Sequence, residues 1–142
     1  MVGVLISILA GAAMSVQGVL NTGLGKSIGQ LHANTIVQAI ALICSLAALI
    51  FAKNGSFHAL SGTPPLYLSG GVLAIIITLG VMLAMKSLGP AAAVSIILIA
   101  QLLSAALIEF FGLFGTEKAA FGLNKFIGLA AMIAGVIIFK HK

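Results

Sequence analysis

The sequence predicts an all-α, polytopic membrane protein whose five helices cross the bilayer. Three observations predict this. Charged residues make up 6% of the 142 positions and hydrophobic residues 61%. A soluble domain of this size carries charge on about a quarter of its residues to build a polar surface, so lipid rather than water must surround most of this chain. The apolar stretches are unbroken, and several approach or exceed the ~20 residues that a helix needs to span the hydrocarbon. Isolated lysines and turn-forming residues then separate one stretch from the next. A membrane β-barrel is disfavoured, because its strands alternate polar and apolar residues over about 10 positions.

Charge-free stretches run 1–25, 27–52, 54–85 and 87–108, with a shorter one at 126–139. The first helix is expected over 2–24. No basic residue precedes Val2 and the apolar run passes Leu20, so this segment reads as a retained membrane helix rather than a cleaved signal. A short turn over 26–32, with Gly25 and Gly29, leads to a second helix over 33–52. Asn54-Gly55 and Pro64-Pro65 are breaker pairs, making 53–65 the longest expected loop. The third helix is expected over 66–85. Gly89-Pro90 ends it, and Pro90 suits the first turn of a fourth helix over 91–111. A loop over 112–121 carries Glu117 and Lys118, and a fifth helix follows over 122–139. That last helix spans comfortably if Lys125 snorkels to the interface. Residues 1–142 are expected to form a single transmembrane domain.

The aromatic residues mark the same boundaries. None precedes Phe51, and Phe51, Phe57, Tyr67, Phe110, Phe111, Phe114, Phe121, Phe126 and Phe139 all lie in loops or near proposed helix ends. This is the pattern of aromatic interface belts. The net charge of +5 does not point to nucleic acid, because the seven lysines are scattered at the ends of apolar runs. A nucleic-acid surface gathers its basic residues on one face.

Helices in lipid pack through small residues and interhelical hydrogen bonds. The first helix carries Ser7, Gly11, Met14, Gly18, Asn21 and Gly25 at helical spacing. Asn34, Gln38, Ala41 and Ser45 form such a stripe on the second. Gly71, Ala74, Thr78, Met82 and Met85 do so on the third, and Asn124, Gly128, Ala131 and Gly135 on the fifth. Gly11, Gly18, Gly71, Gly128 and Gly135 are the expected packing glycines. The amides are more informative, because an unpaired amide in an apolar medium costs several kcal/mol. Gln17, Asn21, Gln38 and Gln101 lie inside the spans and Asn34 at an end. They either bond between helices or line a polar cavity. Glu109 is the single acidic residue in a proposed span, and so is a functional candidate. Near the helix end it can also simply reach interfacial water.

Catalytic and metal-binding arrangements are not found. Aspartate is absent, Cys44 stands alone, and His32, His58 and His141 occupy separate loops or the terminus. No metal spacing or nucleophile–base pattern emerges, so neither an enzymatic activity nor a cofactor is expected. Gly25-Lys26-Ser27 has the ending of a phosphate loop, but Leu20 stands where that motif needs glycine. Asn54-Gly55-Ser56 fits a glycosylation acceptor but is already explained as a turn.

Taken together, several segments resemble a known family. They are Gln17-x3-Asn21-x2-Gly23-Leu24-Gly25, Gln101, Ile108-Glu109-Phe110-Phe111-Gly112-Leu113-Phe114-Gly115, and the close Gly128-Leu129-Ala130-Ala131-Met132-Ile133-Ala134-Gly135-Val136. The chain resembles the five-helix YdcZ-like branch of the drug/metabolite transporter superfamily over nearly its whole length. Its last helix is also similar to that of small multidrug resistance proteins. The resemblance implies a small transporter or exporter in a bacterial plasma membrane, working as a dimer with its halves inverted and the substrate between them. Gln17 and Asn21 match the family's first-helix pattern, and Glu109 matches an acidic position usually held by aspartate. The first helix lacks the carboxylate that couples protons in small multidrug resistance proteins.

Two other readings compete: a non-transporting accessory subunit of a larger membrane complex, and a passive channel. Lysine counts bear on assembly, since lysine bias between short loops sets orientation. With five spans, Lys53, Lys118 and a snorkelling Lys125 share one side, and Lys26, Lys86, Lys140 and Lys142 the other. Three against four is almost no bias. Dual topology and an antiparallel homodimer are therefore expected, with a heterodimer as the alternative. Lipid and a small-molecule substrate are the other expected partners.

Overall fold

The computed structural model describes residues 1–52, 55–120 and 122–140, with Ala59 and Lys140 as backbone alone. Lys53, Phe121, Lys142, His141 and the Asn54 side of the expected turn and glycosylation match lie outside the described residues. Helix is the regular structure of the described residues, among which there is no strand. Five α-helices follow one another: α1 (Val2–Ile28), α2 (Gln30–Leu49), α3 (Gly70–Leu88), α4 (Pro90–Phe111) and α5 (Leu123–Lys140).

Burial is arranged as lipid demands. Leu5, Ile43 and Ile137 are 61%, 66% and 58% exposed, while Ala33, Met82 and Ala93 are fully buried. In water such an outward apolar surface would be a severe liability; in a bilayer it is the solvated face. Val2–Ile28, Gln30–Leu49, Pro65–Leu88 and Pro90–Phe111 are each long and apolar enough to cross, and the apolar Leu123–Phe139 is shorter. The 18 residues of α5 rise about 27 Å, just under the ~30 Å hydrocarbon core.

Because lipid offers no hydrogen bonds, hydroxyls turn back on their own helices. Ser7 donates to the Gly3 carbonyl at 2.9 Å, Ser45 to Ala41 at 2.8 Å, Thr78 to Ala74 at 2.8 Å and Ser95 to Ala91 at 2.8 Å.

The chain forms two compact units, Met1–Ser87 and Leu88–Lys142. In the first, the turn between α1 and α2 is tighter than its sequence suggested. Gly25 remains inside α1, and Gly29 alone (φ 92°, ψ 147°) separates the helices. Extending both helices to this one residue keeps nearly every backbone N–H paired, which a longer turn at the membrane edge would not. Beyond α2 the expected long loop contains two short helical turns. Phe57–Gly62 and Pro65–Ser69 are 3-10 turns, the second running into α3. The first is capped by Ser56, whose hydroxyl oxygen accepts from the His58 N–H at 3.1 Å.

The second unit starts at Leu88, and Gly89 (φ 81°, ψ 160°) precedes Pro90, which begins α4 as expected. Gly29 and Gly89 are the same device used twice. Lys26-Ser27-Ile28-Gly29 and Lys86-Ser87-Leu88-Gly89 share a pattern. The glycine carbonyl accepts from Ala33 in one case (3.0 Å) and Ala93 in the other (3.1 Å). Both alanines are fully buried. Positive φ with extended ψ is open in practice to glycine alone.

The end of α4 is closed by its own loop. Gly112 takes the left-handed conformation (φ 64°, ψ 38°), as helix-terminating glycines do. The Thr116 hydroxyl donates to the carbonyls of Leu113 (2.8 Å) and Ile108 (3.3 Å), and Ala119 N–H donates to Glu109 O at 3.0 Å. Phe114 (φ 56°, ψ 25°) is the one non-glycine residue with positive φ among the described residues.

Candidate functional site

In the first unit, polar and small residues gather where α1, α2 and α3 meet. Gly18, Asn21, Thr22 and Gly25 form the buried part of α1. Their spacing of three or four residues puts them on one face. Two methionines of α3 fill the space their small size leaves. A Cβ at Gly18 would collide with the thioether end of Met85 and stand 3.1 Å from Val81 Cγ1. One at Gly25 would lie 2.8 Å from Met82 Cε and 2.8 Å from Gln30 Cδ. Met82 is fully buried and Met85 is 4% exposed. Long, unbranched, polarizable side chains suit such notches because they adapt their shape.

The face of α2 carries the unusual chemistry. Gln30, Asn34 and Gln38 recur every four residues, so their side chains stack along one face at about 6 Å intervals. Gln30 Nε2 and Oε1, Asn34 Oδ1 and Gln38 Nε2 are all sealed from solvent and have no hydrogen-bond partner. Asn34 is 5% exposed. Buried polar groups in folded proteins are almost always bonded, and in an apolar medium each orphan costs roughly 1–3 kcal/mol. Three such residues in a row mark a face whose hydrogen bonds are not closed within the chain, and water, a substrate or a partner chain can complete them. By contrast, the neighbouring Thr22 hydroxyl is satisfied by the Gly18 carbonyl at 2.7 Å.

The electrostatics of this unit are simple. Residues 1–87 contain no Asp or Glu. Lys26, His32 and Lys86 are exposed. The buried polar face is therefore made of neutral amides and a hydroxyl. A cavity of about 50 Å³ lies beside it between α1 and α3, lined by Met14, Gln17, Asn21, Thr78 and Val81 among others. It has room for a few waters and is much smaller than a typical ligand pocket of ~300–1,000 Å³.

The second unit has a different feature. A half-open groove of about 500 Å³ runs between α4 and α5, with Leu102, Leu103, Ala106, Leu129 and Met132 in its walls. Glu109 and Lys125 close one end of it, with Lys125 Nζ donating to Glu109 Oε2 at 2.8 Å. Both side chains are about half exposed. Lys125, expected to snorkel, thus reaches a carboxylate instead of the interface alone.

The residues singled out in the sequence are distributed as follows. Asn21 is buried on α1 and Gln38 is partly buried on α2, whereas Gln17 is exposed but borders the small cavity. Gln101 lies exposed on α4, and Glu109 is ion-paired. Of the packing glycines, Gly18 receives Met85, while Gly11, Gly71, Gly128 and Gly135 have open space where a Cβ would stand. Gln30 was not singled out, because it fell in the expected turn. Its position four residues before Asn34 and eight before Gln38 was the signal that could have found it. Among the described residues, no group of three or more His, Cys, Asp or Glu side chains is placed to hold a metal ion.

A family model described as "Putative inner membrane exporter, YdcZ" matches residues 2–138. No curated protein and no solved structure matches the chain.

Proposed function

Since the chain belongs to the YdcZ family of inner membrane exporters, a transporter family rather than an enzyme family, we propose that it exports a small molecule as an antiparallel dimer. The substrate path runs along the amide face of α2. The observation that carries this reading is the ladder of orphaned side-chain atoms at Gln30, Asn34 and Gln38. Unpaired amides are poor helix glue, and they are what a site must offer if it is to exchange water for substrate. Asn21 and Gln17 of α1 extend the polar face towards the small cavity.

The dimer is supported by three features. Transporters commonly hold substrate between repeats of inverted topology, and one five-helix chain has no inverted counterpart of itself. The near-even lysine distribution allows insertion in either direction. Finally, the faces bearing Gly11, Gly71, Gly128 and Gly135 are open within the single chain, and such small-residue faces are where membrane helices approach one another. A heterodimer with an oppositely oriented paralogue fits the last feature equally and differs in holding each chain in one fixed orientation.

Export is tested by comparing the growth medium of cells producing the parent protein, the Asn34→Leu variant, or neither, by untargeted mass spectrometry. At least one solute is expected to accumulate with the parent and to return to the background level with Asn34→Leu at equal membrane abundance. Identical media for parent and variant would remove the amide face from the transport path.

A further inference from the structure

We propose that the substrate is an uncharged solute bearing an amide-like edge, a hydrogen-bond donor beside an acceptor, and not a cation or an anion. This rests on the exporter reading above and specifies the chemistry of the same face.

The functional groups left without partners define a complement. Gln30 presents both an unpaired donor, Nε2, and an unpaired acceptor, Oε1. A carboxamide, lactam or urea edge matches that pair with two parallel hydrogen bonds. One turn on, Asn34 Oδ1 is an unpaired acceptor, and one turn further Gln38 Nε2 is an unpaired donor. The ladder therefore alternates acceptor and donor over about 12 Å of helix, long enough for a compound with two or more hydrogen-bonding groups.

Charge is what this face cannot accommodate. A bare ion in an apolar site is expensive unless a counter-charge meets it. Residues 1–87 contain no carboxylate, so a cation finds no partner within this unit. Among the described residues of this unit, Lys26, His32, His58 and Lys86 are all exposed, so none of them brings a positive charge to the buried face. Glu109, in the other unit, has its Oε2 engaged by Lys125 at 2.8 Å. Met82, which meets Gln30 at Gly25, adds apolar, adaptable surface, which suits a flat or weakly polar body carrying the amide edge.

Three compounds of nearly the same size separate the possibilities: nicotinamide, its 1-methyl cation and nicotinate. Each is titrated into the purified full chain in lipid nanodiscs while thermal unfolding is followed. Nicotinamide is expected to raise the midpoint saturably, with an apparent affinity at least tenfold above either charged analogue. Asn34→Leu is expected to lose that response, and Gln38→Leu carries the same expectation if the first variant is not recovered folded. Gln38→Glu supplies a carboxylate and is expected to turn the preference towards the 1-methyl cation. Equal or tighter binding of a charged analogue by the parent would overturn the assignment, as would no response to any of the three. The medium comparison remains separate. An exported solute that proves charged overturns the uncharged class and leaves the exporter standing, whereas unchanged medium removes the export reading itself.

Discussion

At the scale of single residues, the orphaned amides and the filled glycine notches make opposite predictions about stability. Asn34 is 5% exposed with Oδ1 unpaired. Replacing a buried, unbonded polar group with an apolar one of similar size removes a desolvation cost. Asn34→Leu is therefore expected to stabilise the purified protein by about 1 kcal/mol or more, read as a raised thermal midpoint. A structural amide bonded between helices would show the reverse, a loss of similar size. Gly18 behaves in the ordinary way for a packed position. A side chain there meets the Met85 thioether and Val81. Gly18→Val should cost roughly 1–3 kcal/mol through overpacking. Because the obstacle is the far end of a flexible side chain, Met85→Ala in the same protein should return part of that loss. A double-mutant cycle on unfolding midpoints measures the coupling, and strictly additive effects would mean that the two residues do not meet.

At the scale of elements, the one-residue breaks at Gly29 and Gly89 are the most exacting parts of the fold. Both have positive φ with extended ψ, which costs an L-residue about 1–3 kcal/mol. Gly29→Ala and Gly89→Ala should each lower the midpoint by an amount in that range, whereas Gly11→Ala, with open space around it, should not. The Glu109–Lys125 pair should matter less. With both partners about half exposed, Glu109→Gln is expected to change stability by at most about 1 kcal/mol. The existence and order of all five helices were legible in the sequence, because lipid-spanning segments need long apolar runs and those runs were interrupted by lysine, Gly-Pro and Pro-Pro. The ends were harder to read. Gly25 looked like a turn residue but stays in α1, since a helix in lipid continues until its backbone is satisfied elsewhere, and glycine there admits Gln30 and Met82. The 3-10 turns of 57–69 left no apolar periodicity to detect. The candidate site was half legible. Asn21 and Gln38 stood out as amides in apolar helices, but Gln30 was hidden by the misplaced turn, and no sequence feature told bonded amides from orphaned ones.

At the scale of the whole molecule, the chain is an inner membrane exporter by family, and its transport path depends on how copies of it assemble. If all five helices cross, three lysines fall on one side and four on the other, which would give the insertion machinery almost nothing to distinguish the two directions. Two copies inserted oppositely would supply the inverted pair that one chain lacks, with a two-fold axis in the membrane plane. A protein of fixed orientation would need a different, oppositely inserted partner to do the same. The most direct test is single-cysteine accessibility in intact cells and in permeabilised ones. Cys44, exposed on α2, is first replaced by alanine, and Ser56, at the exposed start of the loop between α2 and α3, is changed to cysteine. An impermeant maleimide is expected to label about half of Ser56→Cys from outside, and the remainder only after permeabilisation. Labelling confined to one face would contradict the antiparallel homodimer and leave the heterodimer as the working assembly.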